Sequence, residues 1–547
     1  MSAKASKGLT SERTSSHETV MGDAQSLLKT LLAKREAGFR GRGKYHPPTA
    51  PDVNGLPNPP IGWVWASPEQ LSNAAPYALG IGPFGSNLKV SDYRETGTPL
   101  IFVRNIRAED FSLVAKFVAE EKANELAAHT AQGGDILITK MGEPPGDVAL
   151  YPVGAPTAVI TADCIKWRLA EDLRVPKFFV YAMRSALVQQ QIQSRTRGVA
   201  QKKISLERFR DLAIPLPPLP EQRRIVAEIE QQFTRLDAGV AALRRTQANL
   251  KRYRAAVLKA ACEGRLVPTE AELAREHARV LGSIPTGDFD SPSQSKRPKA
   301  HGSTPLGSTN FETGEALLAR ILTERRKQWV GRGRYKEPTI PQPIIGVTLP
   351  EGWTWATMPQ LGELNRGKSK HRPRDDTRLY DGPYPFIQTG DIRRSGGTIR
   401  EHTQTYSDFG LQQSRLWPAG TLCITIAANI AETGILAFPS CFPDSVVGFC
   451  HDGPRETTRY IEFFFRTAKD ELERFAPATA QKNINLEVLQ NVVIPLPPLV
   501  EQTRIVAEVE RRLSVADELE SVVKTNLQRA TRLRQSVLQQ AFAPKLT

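Results

Sequence analysis

The chain has 547 residues, with 73 Lys and Arg against 58 Asp and Glu for a formal charge of +15, and a hydrophobic fraction of 40%. That length fits three or four units at ~100–200 residues each, and the surplus of positive charge favours an anionic partner such as nucleic acid or a phospholipid surface. No apolar run is long enough to span a membrane, and five scattered cysteines without a Cys-x-x-Cys exclude a disulfide framework and a zinc knuckle, so a reducing, cytoplasmic setting is expected.

Residues 1–20 are polar, lack the apolar stretch of a secretory signal and are expected to be disordered. A leader helix and connector take residues 21–60, including the basic turn Gly41-Arg42-Gly43-Lys44-Tyr45. A mixed α/β domain takes 61–213 and opens on Gly62-Trp63-Val64-Trp65. Within it Leu100–Val103, Asp135–Thr139 and Ala158–Ile160 read as strands, and Phe178–Val188 as a helix.

Residues 214–265 are a proline lead-in and a long helix. Pro217 and Pro218 hold the chain extended, Pro220 is tolerated in a first helical turn, and Glu221 suits the positive end of the helix dipole. Ile225, Ile229, Phe233, Leu236, Val240 and Leu243 recur every three or four residues and so share one face. From Glu221 to Ala261 the rise is ~60 Å at ~1.5 Å per residue. A helix of that length needs a partner along it. Gly264 and Pro268 stop it, and residues 266–316 read as a mostly flexible linker, with 283–310 almost free of large apolar side chains.

The series then starts again. A second leader helix and connector take 317–350, a second mixed domain 351–493, and a second proline lead-in and long helix 494–547. Pro385–Thr389, Thr421–Ala427 and Ser445–Phe449 read as strands, and Arg459–Thr467 as a helix. Ile505, Val509, Leu513, Ala516, Leu519 and Val523 form the apolar stripe of the last helix, continued by Leu527, Leu533 and Val537.

The duplication is explicit. Ile214–Glu230 and Ile494–Glu510 align without a gap at an offset of 280, and three of seventeen positions differ. Leu27–Ala66 aligns with Leu317–Ala356 at an offset of 290, and Gly134–Thr139 with Gly420–Thr425 at 286. Between these anchors the halves hardly match, which suggests a fixed frame carrying two interchangeable modules.

No catalytic signature stands up. There is no phosphate-binding glycine loop, no nucleophile elbow, no His-Glu-x-x-His and no cluster at metal spacing, so neither a catalytic nor a metal site is assigned. Asn58-Pro59-Pro60-Ile61 resembles the tetrad of amino-methyltransferases. Its fourth residue is not aromatic, and its repeat counterpart Thr348-Leu349-Pro350-Glu351 has lost the pattern, so it reads as a connector. The acid pairs Asp375–Asp376 and Glu109–Asp110 read as solvated loops.

The basic patches are the better candidates. Arg366, Lys368, Lys370, Arg372 and Arg374 fall within nine residues, followed by Arg393 and Arg394. Such side chains neutralise phosphates, and arginine can fork onto guanine. Gln388 and Thr389 could read base edges. In the first module the candidates are Lys89, Arg104, Arg107 and Lys140. Arg195, Arg197, Gln201 and Lys202 lie in a segment mirrored by Gln481 and Lys482, which could contact a backbone or cap the module against its helix. The plain alternative for each cation is a solvated surface.

The duplicated Ile-Pro-Leu-Pro-Pro-Leu-x-Glu-Gln-x-x-Ile-Val-Ala-Glu motif, the long helix behind it and the divergent modules before it resemble the specificity subunit of type I restriction-modification systems. The resemblance runs from about Leu27 to the end. It implies an α+β architecture: two mixed α/β target recognition domains joined by two long helices in an antiparallel coiled coil, with an internal pseudo-two-fold duplication. It implies a non-catalytic subunit that recognises a bipartite sequence in double-stranded DNA. Two methyltransferase subunits, using S-adenosylmethionine to modify adenine N6, would dock on it, and restriction subunits using ATP and Mg²⁺ would join through them. The chain itself would bind no cofactor. The alternative is a coiled-coil scaffold whose modules bind something other than DNA.

Overall fold

In each half, the two repeated blocks pair with each other. In the computed structural model Val64–Ala66 and Ile214–Leu216 form an antiparallel ribbon with Trp65 opposite Pro215. Thr354–Thr357 and Val493–Leu496 do the same, with Trp355 opposite Pro495. Proline lacks an N–H, and a ribbon of only two strands tolerates it. The ribbon carries each preceding tryptophan onto the start of a long helix. Trp63 Nε1 donates to Glu221 Oε2 at 3.0 Å, and Trp353 Nε1 to Glu501 Oε1 at 2.9 Å. The next residue is anchored too: Gln222 and Gln502 each donate Nε2 to the carbonyl of Pro217 or Pro497 at 2.8 Å.

The structure describes residues 23–40, 44–112, 114–196, 202–282, 311–330, 334–341, 344, 346–427, 430–474 and 484–543. The expected disordered N-terminus 1–20, the Gly-Arg-Gly triplets at 41–43 and 331–333 and the linker core 283–310 lie outside them. Two units form, one from residues up to Arg244 together with those from Lys524 onward, the other from Arg245–Val523. Each contains one module and parts of both long helices, Leu219–Cys262 and Leu499–Phe542, of 44 residues each.

In the first unit one sheet has the strand order Leu79–Ile81, Cys164–Trp167, Ile136–Thr139, Val148–Leu150, all antiparallel. A second has the order Phe117–Val118, Thr98–Ile101, Ala158–Ile160, Thr130–Ala131, with a parallel central pair. The main core joins Trp167, Phe178 and Phe179 to Trp63, to Leu31 of the leader helix, to Ile225 and Ile229, and to Val537 and Phe542. The helix expected over Phe178–Val188 is two helices, Pro176–Arg184 and Ala186–Arg195, separated at the extended Ser185.

In the second unit the sheet order is Glu363–Arg366, Val446–Cys450, Leu422–Thr425, Thr433–Leu436, Thr398–Ile399. A ribbon of Tyr380–Phe386 with Gln404–Tyr406 lies beside it in sequence. The core gathers Trp353, Tyr460, Phe463 and Phe465 with Ile505 and Val509 and with Val257 and Ala261. Gln388 and Thr389 do not extend a strand, because Gln388 caps a short helix, Thr389–Arg394.

The long helices run antiparallel in each unit. Asp237 meets Arg534 in the first, and Arg254 meets Asp517 and Glu520 in the second. Arg254 and Arg534 occupy one position of the 280-residue repeat, as do Asp237 and Asp517. Of the expected stripe, Ile225, Ile229, Phe233, Ile505, Val509 and Val523 are buried, and Leu236, Val240, Leu243 and Leu513 are half-buried. Leu519 is exposed, and so is Leu533. The seam passes one residue further along, through Glu520 and Arg534, and a heptad seam that admits charged residues hides its register from apolar spacing.

The expected linker 266–316 is helical at both ends. Glu270–Gly282 forms a helix, and Thr313 caps another that begins at Gly314.

Candidate nucleic-acid interface

Both modules place a short helix directly after a strand, and the repeat at offset 286 governs it. Phe102 N donates to Asn105 Oδ1 at 3.0 Å at the start of Val103–Ala108. Gln388 N donates to Asp391 Oδ2 at 2.9 Å at the start of Thr389–Arg394. Asn105 and Asp391 are buried, as are Ile106 and Ile392 behind them. In each cap a first-turn side chain accepts from the backbone N–H of the residue before the helix, and the helix's outer face is left to other residues. The neighbouring hairpins match as well: Thr139 Oγ1 accepts from Gly146 N at 3.0 Å, and Thr425 Oγ1 from Glu432 N at 3.0 Å.

On this shared scaffold the side chains differ. In the first module Arg104 is exposed, with its guanidinium 4.7 Å above the Phe102 ring. Arg107 donates to Asp147 Oδ2 at 3.0 Å. Lys140 is half-buried, with Nζ 3.4 Å from the Ala162 carbonyl. The strand-like segment at Lys202–Ile204 lies against it, Ile204 N donating to Lys140 O at 3.0 Å and Gly142 N to Lys202 O at 3.2 Å. Lys202 Nζ stands 3.8 Å from Glu143. Arg107, Lys140 and Lys202 are thereby brought to one edge around Met141–Glu143. In the second module Ile484 N donates to Ile426 O at 3.0 Å, so Ile426 stands where the first module has Lys140. Gln388 and Arg393 are exposed, and Gln388 bonds Gln404.

The arginines of the second module's basic loop are largely tied down within the module. Arg366 donates to the Asp444 carbonyl at 2.8 Å and Arg374 to Asp444 Oδ1 at 3.0 Å. Arg372 donates to the carbonyls of Ser369 and His371, both at 2.7 Å. Arg394 pairs with Asp391 at 2.7 Å. Lys368 and Lys370 are exposed. Of the acid pair Asp375–Asp376, Asp376 is bound by Arg378 and His371, and the Arg378 guanidinium holds its carboxyl far below the usual range. Of the other pair, Glu109 pairs with Arg184 at 2.8 Å. Among the described residues no group of His, Cys, Asp and Glu is arranged to hold a metal ion.

Lys89 is exposed, while Thr389 is half-buried. Arg195 is drawn inward, donating to Asp52 at 3.0 Å and to Gln191 at 3.4 Å, and so ties the connector to the module. Arg197, Gln201, Gln481 and Lys482 lie outside the described residues. Sequence reading missed the matched caps at Asn105 and Asp391. The signal was present, since the offset of 286 that aligns Gly134 with Gly420 also aligns Ile106 with Ile392.

The model of the type I restriction modification DNA specificity domain matches residues 91–242 and 350–528. The chain is similar to the specificity subunit of type I restriction enzyme EcoBI from Escherichia coli, at 23% identity over 91% of this chain and 89% of that protein. It is also similar to the EcoKI specificity subunit from Escherichia coli strain K12, at 23% identity over 69% of this chain and 67% of that one. In fold it is similar to a chain from a solved structure concerned with complex assembly and conformational transition of the type I R-M system, with a TM-score of 0.54, 18% identity and coverage of 89% of this chain and 98% of that one. Two copies of the domain, one on each module and together more than half the length, show that the chain belongs to the type I restriction-modification DNA specificity family, and that its work is sequence-specific DNA recognition.

Proposed function

We propose that each module reads one half of a bipartite duplex target, and that the paired long helices set the spacer between the halves. The observation that carries this reading is the strand–helix–hairpin scaffold common to both modules with unlike residues on it: Phe102, Arg104 and Lys140 in one, Gln388, Gly390 and Ile426 in the other. A common scaffold keeps the approach to the duplex the same, and different side chains make the two half-sites unlike. Arg104, Arg107, Lys140 and Lys202 in the first module, and Lys368, Lys370, Gln388 and Arg393 in the second, are the contacts we assign first. The exposed cations supply the salt-dependent phosphate term.

Two methyltransferase subunits dock on the helical regions and carry S-adenosylmethionine for adenine N6 methylation. Restriction subunits, with ATP and Mg²⁺, join through them. The alternative of a scaffold with non-DNA modules is set aside by the family match.

The test is a module exchange. Residues 61–213 are replaced by the corresponding module of another family member, and methylated adenines are mapped in DNA from cells that carry the intact system. One half-site changes, while the other half-site and the spacer stay. A change in both half-sites, or in the spacer alone, would overturn the assignment.

A further inference from the structure

The repeat exposes an inequality between the two units. In the first, a groove of about 940 Å³ is lined by Pro60 and Ile61 of the connector, Glu221, Arg224 and Ile225 of the first long helix, and Ala541 of the second. Ile61 is 92% exposed. In the second unit the corresponding residues are Pro350, Glu351, Glu501, Arg504, Ile505 and Ala261.

There the chain covers the site itself. Thr269 opens the helix Glu270–Gly282 through a reciprocal cap, Glu272 N donating to Thr269 Oγ1 at 3.2 Å and Thr269 N to Glu272 Oε2 at 2.8 Å. Glu270 N donates to Glu501 Oε2 at 3.1 Å, and Arg504 binds both the Glu270 carboxylate and the Pro268 carbonyl. Arg275 pairs with Glu351 at 2.7 Å, and Ala271 is fully buried. The first unit keeps the same anchors but turns them on each other, with Arg224 3.3 Å from Glu221. The Arg224 side chain is 68% exposed, against 31% for Arg504.

We propose that the groove of the first unit is a docking site for an amphipathic helix of a partner chain, seated by its first turn as Glu270–Gly282 is seated in the second unit. Charge complementarity defines the occupant. Its first turn carries a glutamate for Arg224 and an unpaired backbone N–H for Glu221, and a small apolar residue follows over Ile225. Where Arg275 meets Glu351, the occupant carries an apolar side chain, because Ile61 replaces the glutamate. The proposal does not rest on the DNA-reading assignment and survives its failure.

A synthetic peptide of residues 265–282, capped at both ends, serves as the probe and is titrated into the full chain by fluorescence anisotropy. One peptide binds per chain. Arg224→Glu weakens it about tenfold or more, which is about 1.4 kcal/mol, whereas Arg504→Glu leaves it unchanged. A peptide carrying Arg275→Leu binds more tightly, and one carrying Glu270→Lys recovers affinity on the Arg224→Glu protein. Arg224 is exposed, and unchanged circular dichroism of its variant removes misfolding as an explanation. The proposal is overturned by any of four results. The peptide does not saturate below about 1 mM. Its binding depends on Arg504 and not Arg224, so that it merely displaces the internal helix. The chain dimerises through Arg224, making a second copy the occupant. Removal of residues 544–547 raises affinity about tenfold, making the chain's own tail the occupant.

Discussion

The two halves of the chain share a frame almost residue for residue and fill it differently. Lys177 pairs with Glu230 in the first unit as Arg459 pairs with Glu510 in the second. One ring beside these pairs repeats too, Phe178 against Trp63 at 6.4 Å and Tyr460 against Trp353 at 6.3 Å. Two residues along, the halves part. Val180 is buried in the first, whereas Glu462 is fully buried in the second between Arg459 at 3.3 Å and Arg466 at 3.8 Å. The comparison teaches that the frame is held at a few ring and backbone contacts, and that the packing behind them is free to be apolar or ionic as each module requires.

The strongest way to break that comparison is at the tryptophans. Each is about 8% exposed and donates to the glutamate at the start of a long helix. Trp63→Ala and Trp353→Ala each cost about 3–5 kcal/mol from lost burial and the cavity left behind. The second is the more severe, because Glu501 is buried and also accepts from Glu270 N, whereas Glu221 is partly exposed. Removing one donor from a buried acceptor adds a desolvation penalty that a wetter acceptor avoids. Denaturant unfolding of both variants checks this, and equal losses would show that the two anchors are interchangeable.

The next effect is confined to the second unit. Burial pushes the Glu462 carboxyl up to about 7, against the opposing pull of Arg466 and Arg459. A carboxyl whose folded value is raised binds protons more readily folded than unfolded. Its contribution is therefore present at low pH and lost as pH climbs from the ordinary glutamate value near 4.5 to about 7. Glu462→Gln cannot titrate. Across that window wild type loses roughly 3 kcal/mol more than the variant, from a shift of this size. Melting curves recorded in parallel at several pH values measure the difference, and parallel curves would mean that the arginines keep Glu462 ionised throughout. The first unit, with Val180 at this place, has no counterpart to the effect.

Much of this organisation is legible in the sequence because the frame repeats. The motif from Ile214 to Glu230 exposes both long helices, and the prolines explain their abrupt starts. What it hides are contacts between distant blocks. Nothing local says that Trp65 lies opposite Pro215, or that Glu221 accepts from Trp63 rather than simply meeting a helix dipole. The candidate site is legible in part. Lys368, Lys370 and Arg104 are exposed, yet Arg366, Arg374 and Arg195 are bound to Asp444 and Asp52, far away in sequence. The helix Glu270–Gly282 escaped because its helix-forming residues abut a segment without apolar side chains.

The smallest predicted effect tests the seam. Arg254 and Arg534 are one repeat position, but Arg254 faces two carboxylates, Asp517 at 2.6 Å and Glu520 at 2.5 Å. Arg534 faces one, Asp237 at 2.5 Å, and lies 4.5 Å over the Phe233 ring. Its side chain is also the more exposed, 43% against 22%. Exposed ion pairs contribute about 0.2–1 kcal/mol and are screened by salt, whereas the packing of a side-chain stem against a ring is not. Methionine keeps the stem and its contact with a ring while removing the charge. Arg254→Met therefore costs about 1 kcal/mol at low salt, and that cost shrinks near 1 M salt. Arg534→Met costs about 0.5 kcal/mol at low salt, because one exposed ion pair is lost while a side chain stays over Phe233, and this smaller cost is screened as well. Denaturation of both variants at low and high salt separates the terms. Equal losses at low salt would show that the number of acids each seam arginine meets makes no difference.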